Sequence, residues 1–366
     1  MGGLIAMMLH SLRGKIGPGF GDSAGMVVRA RAPLRLGLAG GGTDVSPYVD
    51  LYGGAVMNVT IDRYIYATIE LLDGEEVLLE SHDLGLSARY PATASLPIDG
   101  RLDLPKAVYN RIVRDALGGQ ALPLRISTYS EVPVGSGLGS SSALVVAVLQ
   151  AFADFCALPL GEYDVARLAF LIERQDLGLH GGRQDQYAAT FGGFNFMEFG
   201  ADDRVIINPL RVKPHVVNEL EAQTVLCFTG VSREGATIIE EQSQNVRAGA
   251  ARPIEAMHRL KASAVEMKEA LLKGDLKRVG ETLRSTWSSK REMAQSISTG
   301  PIEDALETAM AAGATAGKIS GAGGGGFIMF LVPLEYKQKL MTALTAKGYR
   351  SESCRFTTEG ATSWRT

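Results

Sequence analysis

Apolar and polar positions begin to alternate at residue 27. Val27 to Leu38 and Ala55 to Leu72 carry the β-branched and aromatic residues of strands, with glycines at 40–42 and 53–54 marking the turns between them. Pro105 to Leu117 reads as a helix, Leu124 to Glu131 as a strand and Ser141 to Cys156 as an apolar helix. Leu160 to Leu177 is expected to be one helix, with Leu168, Leu171 and Ile172 on one face and Arg167, Glu173 and Arg174 elsewhere. Gly192 to Met197 turns into a strand, and Arg204 to Pro214 reads as an edge segment closing a β-rich first half. From Gln223 the pattern changes: a strand over Thr224–Phe228, then helices over Glu234–Gly249, Pro253–Leu272, Leu276–Ser296 and Glu303–Ala312. A strand over Gly326–Val332, a helix over Leu334–Lys347 and a short strand near Arg355 complete an α+β second half.

The chain of 366 residues, 46% hydrophobic, can bury a sizeable core and suits two domains, expected at 26–200 and 201–366. A formal net charge of -3 offers no basic field, so a small-molecule partner is expected and neither nucleic acid nor membrane is. Cys156, Cys227 and Cys354 are odd in number and far apart, which argues against a disulfide framework or zinc site and suits the cytoplasm. The oligomeric state, a homo-oligomer included, stays open. Residues 1–25 lack periodicity, and their apolar stretch Leu4 to Leu9 is too short for a secretory core or a membrane span. They read as a leader, with Met26 as the expected start of the folded unit.

One stretch has little packing value and much chemical value. Gly135-Ser136-Gly137-Leu138-Gly139-Ser140-Ser141-Ser142 lies between Glu131-Val132-Pro133-Val134 and the apolar run Leu144 to Leu149. Glycines let backbone N–H groups close on an anion, serines add hydroxyls, and a helix starting there points its positive end at phosphates. A serine-capped helix after a glycine turn would look the same. The Gly-Lys-Ser/Thr ending of a Walker loop is missing.

Three further segments add to it: Arg31 to Asp44, a strand running into Gly40-Gly41-Gly42-Thr43-Asp44; Gly178 to Tyr187; and Gly317 to Phe327. In the last, Gly321, Gly323 and Gly326 satisfy Gly-x-Gly-x-x-Gly, but a strand follows the glycines where a dinucleotide fingerprint needs a helix. Taken together, the chain resembles the GHMP kinases, the family of galactokinase, homoserine kinase, mevalonate kinase and phosphomevalonate kinase. The likeness covers nearly everything from Val27 onward. It rests on an Ala-Pro-x-Arg strand at 32–35, a Pro-x-x-x-Gly-Leu-Gly-Ser-Ser loop at 133–141 and a Lys-x-Ser-Gly-Ala-Gly-Gly-Gly-Gly loop at 318–326, in that order. It implies a two-domain α+β GHMP kinase fold, with a ribosomal protein S5 domain 2-like N-terminal domain and a ferredoxin-like C-terminal domain, and with ATP and acceptor meeting between them.

The resemblance also implies roles. The 135–142 loop would hold the phosphates of ATP, and Ser141 with Glu173 would hold Mg²⁺. Asp185, twelve residues after Glu173, would orient or deprotonate the acceptor hydroxyl, and Arg35 would lie beside it. Read without the resemblance, Glu173 is only a polar helix residue.

Thr43 and Asp44 match a Thr-Asp pair that hydrogen-bonds sugar hydroxyls in galactokinase, which favours a sugar over an isoprenoid precursor. The residues around them depart from galactokinase, with Gly41-Gly42 before and Val45-Ser46-Pro47 after, so galactose is not the expected acceptor. Ala-Gly-Gly-Gly-Thr-Asp with Gly-Gly-Arg-Gln-Asp-Gln is most similar to the branch acting on the anomeric hydroxyl of D-glycero-D-manno-heptose 7-phosphate, toward nucleotide-activated heptose. L-fucose or another hexose is the alternative acceptor. Such a substrate brings its own phosphate, for which Arg183 and Lys318 are candidate cations, with Gly323 and Gly324 alongside. His180 reads as structural or as a minor sugar contact. A catalytically silent sensor of sugar and ATP is the reading from another class. Ser141, Glu173, Asp185 and Arg35 occurring together speak against it.

Overall fold

The computed structural model describes residues 26–230 and 235–366; the leader expected at 1–25 and Glu234, the expected start of one helix, lie outside them. The opening alternation forms two long antiparallel strands, β1 (Val27–Ala39) and β2 (Gly54–Leu71), which place Arg35 opposite Thr60. A five-residue helix, α1 (Tyr48–Tyr52), joins them. The unanticipated hairpin β3 (Glu76–Ser81) and β4 (Leu86–Pro91) follows, then α2 (Asp103–Asp115) and β5 (Leu124–Ser130). β5 pairs with the second part of β2 and runs parallel to β3.

Next come α3 (Ser140–Phe155), α4 (Glu162–Leu171) and α5 (Gln184–Phe191), then β6 (Phe194–Phe199) on the first part of β2 and β7 (Val205–Pro209) outside β6. α3 is apolar nearly all round because it is buried: Val145, Val146, Val148, Leu149 and Phe152 are fully enclosed in the main core. Each such side chain contributes about 1.5–3 kcal/mol of burial, which anchors the glycine-serine loop at the helix start.

The second half contains α6 (Pro214–Gln223), β8 (Thr224–Phe228), α7 (Gly235–Arg247), α8 (Ala251–Lys273), α9 (Leu276–Arg291) and α10 (Gly300–Ala311). β9 (Ala316–Ile319), β10 (Phe327–Leu331), α11 (Leu334–Ala346) and β11 (Arg350–Ser353) complete it. The four strands order as β11-β8-β10-β9 with antiparallel pairs, the ferredoxin-like arrangement. The final strand, β12 (Thr362–Arg365), returns to pair with β1. The break expected near residue 200 is therefore not clean in the sheets: the first sheet runs on through β7 and regains the C-terminus.

The halves meet backbone to backbone. Phe327 N donates to Ser136 O at 2.9 Å. A Cβ on Gly137, whose φ is +75°, would lie 2.5 Å from Ser320 O, so only glycine lets the two loops touch.

Candidate active site

A cleft of about 920 Å³ opens between the halves, at the upper end of the range for small-molecule sites. The start of α3 forms one side. Gly139 holds the N-cap position and no side chain caps the helix, so the first-turn N–H groups remain to serve an anion. Gly135, Gly137, Gly139, Ser140, Ser141 and Ser142 line the cleft. Ser136 and Leu138 lie beneath, buried, and their carbonyls hold Phe327 N and Arg35 N.

The helix expected over 160–177 gives way to a π-helical turn at Ile172–Asp176, and this turn carries Glu173. π turns of this kind frequently mark functional sites. Glu173 is fully buried; its carboxylate accepts from Ser141 Oγ at 3.2 Å, Ser142 Oγ at 2.7 Å and Gln186 Nε2 at 2.5 Å. Arg174 stays 3.9 Å away. A carboxylate and a hydroxyl at the mouth of an anion loop are hard oxygen donors, the set that suits a Mg²⁺ otherwise coordinated by phosphates and water.

Arg35 and Asp185 come from β1 and the first turn of α5 and meet at the centre. Arg35 Nε donates to Asp185 Oδ1 at 2.7 Å, while its Nη1 holds Gly137 O at 2.7 Å and Ser320 Oγ at 3.2 Å. The guanidinium is thus fixed by the strand, the phosphate loop and the loop after β9 together.

Asp44 is buried and accepts four N–H bonds: Arg183 N at 2.9 Å, Gln184 N at 3.0 Å, Gln184 Nε2 at 3.1 Å and Gly42 N at 3.2 Å. Burial pushes its carboxyl up and Asp185 adds to that, while the N–H donors of Gln184 and Gly42 oppose it. The Asp44 carboxylate lies directly on Gly182, where a Cβ would be 2.0 Å from Oδ2. Gly41, Gly42, Gln184 and Gly323 line the cleft around it.

Three of the substrate candidates do not join them. Thr43 is fully buried, and its hydroxyl is committed to Gly40 O, Ala55 O and Ala55 N at 2.8, 3.0 and 3.1 Å, clamping the glycine turn. Arg183 points out of the cleft, with its guanidinium 3.2 Å from Asp203, 3.6 Å from Asp50 and over the Phe170 ring. Gly324 N is held by Ile297 O at 2.8 Å, and the residue does not line the cleft. His180 does line it, with Nδ1 3.3 Å from Glu240 Oε2.

Lys318 is buried at the cleft wall, its Nζ donating to Gly37 O at 2.5 Å. Beside it stands a residue the sequence did not single out: Lys290, near the end of α9, which is also buried and donates to Gly321 O. Desolvation lowers both ammoniums, Lys290 to about 8 and Lys318 well below the usual lysine range. Gln186 and Ser320 were likewise unassigned, although both stand inside the quoted motifs. A lone lysine on an amphipathic helix carries no motif at all.

An anion loop on a helix start, a fixed Arg–Asp pair beside it and a cleft that continues past Asp44 define a small-molecule phosphotransferase. Residues 103–193 match the N-terminal domain of the GHMP kinases and residues 267–350 their C-terminal domain. The D-glycero-alpha-D-manno-heptose 7-phosphate kinase of Campylobacter jejuni is 46% identical over 338 residues, 92% of this chain and 99% of that protein. The crystal structure of a D-glycero-D-manno-heptose 1-phosphate kinase from Bacteroides thetaiotaomicron superposes with a TM-score of 0.79 and 44% identity, over 93% of this chain and 99% of that one. An L-fucokinase/L-fucose-1-P guanylyltransferase of Bacteroides fragilis is 25% identical over 82% of this chain and 34% of that longer protein. The chain belongs to the GHMP kinase family. Its activity is that of a sugar kinase of this family, with ATP as phosphoryl donor.

Proposed function

We propose that this enzyme transfers the γ-phosphoryl group of ATP to the anomeric C1 hydroxyl of D-glycero-D-manno-heptose 7-phosphate, giving the 1,7-bisphosphate. The Arg35–Asp185 contact carries the reading, because it stands where the phosphate loop meets the hollow around Asp44. The choice of acceptor is supported by the Campylobacter relative, similar over nearly its whole length.

The loop over 135–142 holds the β- and γ-phosphates through backbone N–H groups and serine hydroxyls. Ser141 and Glu173 would hold Mg²⁺, which neutralises phosphate charge during transfer. Asp185 accepts the hydrogen bond of the C1 hydroxyl and receives its proton as the C1 oxygen bonds to phosphorus and the bond to ADP breaks. Arg35 fixes the carboxylate and sets positive charge where the phosphoryl oxygens gather it. Gly41, Gly42, Gly323 and Asp44 shape the sugar pocket. Asp44 acts chiefly by ordering the backbone at 42 and 183–184 against the sugar. Cys156, Cys227 and Cys354 are buried free thiols, which fits a cytoplasmic setting.

The test is ATP consumption with heptose 7-phosphate, L-fucose, galactose, mannose and mevalonate as acceptors. Heptose 7-phosphate is expected to give the highest kcat/KM. A higher value with any unphosphorylated sugar overturns the assignment.

A further inference from the structure

Resting on that reading, an acceptor with a phosphate remote from C1 needs a cation where that phosphate lies. Arg183 is ruled out by its direction. Among the described residues the side chains lining the cleft that can carry positive charge are Arg35, Arg174, His180, Lys290 and Lys318. Arg35 is taken by Asp185, His180 faces Glu240, and Arg174 donates to Leu179 O and Gly182 O at 3.3 Å beside Glu173. Lys290 and Lys318 differ from these. Among the described residues neither has a carboxylate within ion-pair distance, and each donates one hydrogen bond, to a backbone carbonyl.

We propose that Lys290, together with Lys318, is the receptor for the phosphate that the acceptor carries. An ammonium has three protons to give, and each of these has used one. Keeping two buried ammoniums protonated without a counter-ion is costly, and a phosphate monoester dianion supplies the negative charge that would favour their protonation. Both line the same cleft, and Lys290 donates to the carbonyl of Gly321, three residues beyond Lys318. Asp44 and Asp185, the acids near Lys290, lie beyond direct contact, so they favour its charge without occupying its protons. The donor set, two ammoniums and no carboxylate, selects for a phosphorylated sugar over a neutral one.

The test is equilibrium titration without nucleotide, so that the phosphate of the acceptor is the only phosphate present. The wild type and Lys290→Met are titrated with D-glycero-D-manno-heptose 7-phosphate and with the same heptose lacking the phosphate. The variant should lose about 10- to 100-fold in affinity for the phosphorylated sugar, the worth of a charge-assisted hydrogen bond, and much less for the other. Lys290→Arg, which keeps the charge, should retain most of the preference. Lys290→Gln gives the same comparison if the methionine variant fails to fold. Equal losses for both sugars, or a loss seen only when ATP is titrated instead, overturn the assignment. A wild type that binds the 7-phosphate no better than the heptose lacking it defeats the reading of the acceptor. A wild type that prefers it and a variant that prefers it equally defeat only the role of Lys290.

Discussion

The two walls of the cleft handle charge in opposite ways. On the wall from the first half each acid has its partners: Asp185 has Arg35, Glu173 has two serines and Gln186, and Asp44 has four N–H donors. On the wall from the second half, Lys290 and Lys318 rest, among the described residues, on backbone carbonyls alone. The first wall is ordered before any ligand arrives, which is what phosphoryl transfer needs. The second carries an electrostatic cost for as long as its ammoniums stay protonated, which a bound anion would offset.

The largest effect should come from the ordered wall. Asp185→Asn should lower kcat by about 10²–10⁴-fold while equilibrium dialysis shows ATP bound as tightly as before; near-normal turnover would remove Asp185 from the chemistry. Asp44→Ala should raise the acceptor KM and also lower stability by about 3 kcal/mol in denaturant melts, because it leaves buried N–H groups unpaired. A KM effect without the stability loss would show that Asp44 serves the sugar alone.

The lysine wall should respond with the opposite sign. Lys290→Met should raise stability by about 1–4 kcal/mol, since replacing an unpaired buried charge by an apolar chain is favourable. For the wild type, the folded-state lysine is at about 8, below its unfolded value, so the unfolded chain binds more protons above that pH. This group's contribution to stability therefore increases from about pH 8 toward the unfolded lysine pKa, and in Lys290→Met the increase disappears. Burial sets this value first, Arg35 lowers it further and Asp44 and Asp185 raise it, while Lys318 lines the same wall. In the free enzyme, kcat/KM for the phosphorylated acceptor should fall above pH 8 as Lys290 loses its proton. The smallest effect on the site belongs to Arg183→Ala: a change in acceptor KM of less than about twofold, with a stability loss of about 1–3 kcal/mol that comes from its buried contacts with Asp203 and Phe170. A tenfold rise in KM would bring Arg183 back into the site.

What could be read from the sequence follows the same division. The glycine segments were legible because close backbone contact leaves no substitute for glycine, as at Gly137 against Ser320. The long strands β1 and β2 and the buried helix α3 announced themselves by periodicity, whereas the six-residue strands β3 and β4 were too short to do so. Glu173 was visible only through resemblance, because a π turn inside a helical pattern leaves no periodic trace. Thr43 was assigned to the substrate through its match to a Thr-Asp pair and Arg183 because it neighbours a motif residue, yet a sequence does not reveal to which side a turn sends a side chain. Lys290 looks like one more solvated lysine until the fold buries it.

The central claim is tested most directly by the position of the new phosphate. The enzyme is incubated with ATP and D-glycero-D-manno-heptose 7-phosphate, and the product is followed by ³¹P NMR coupled to the anomeric proton. A second phosphorus signal coupled to H1, with the original phosphate retained at C7, is the predicted result. A phosphate on any other carbon, or no transfer to this sugar while a neutral sugar is phosphorylated, would contradict the account.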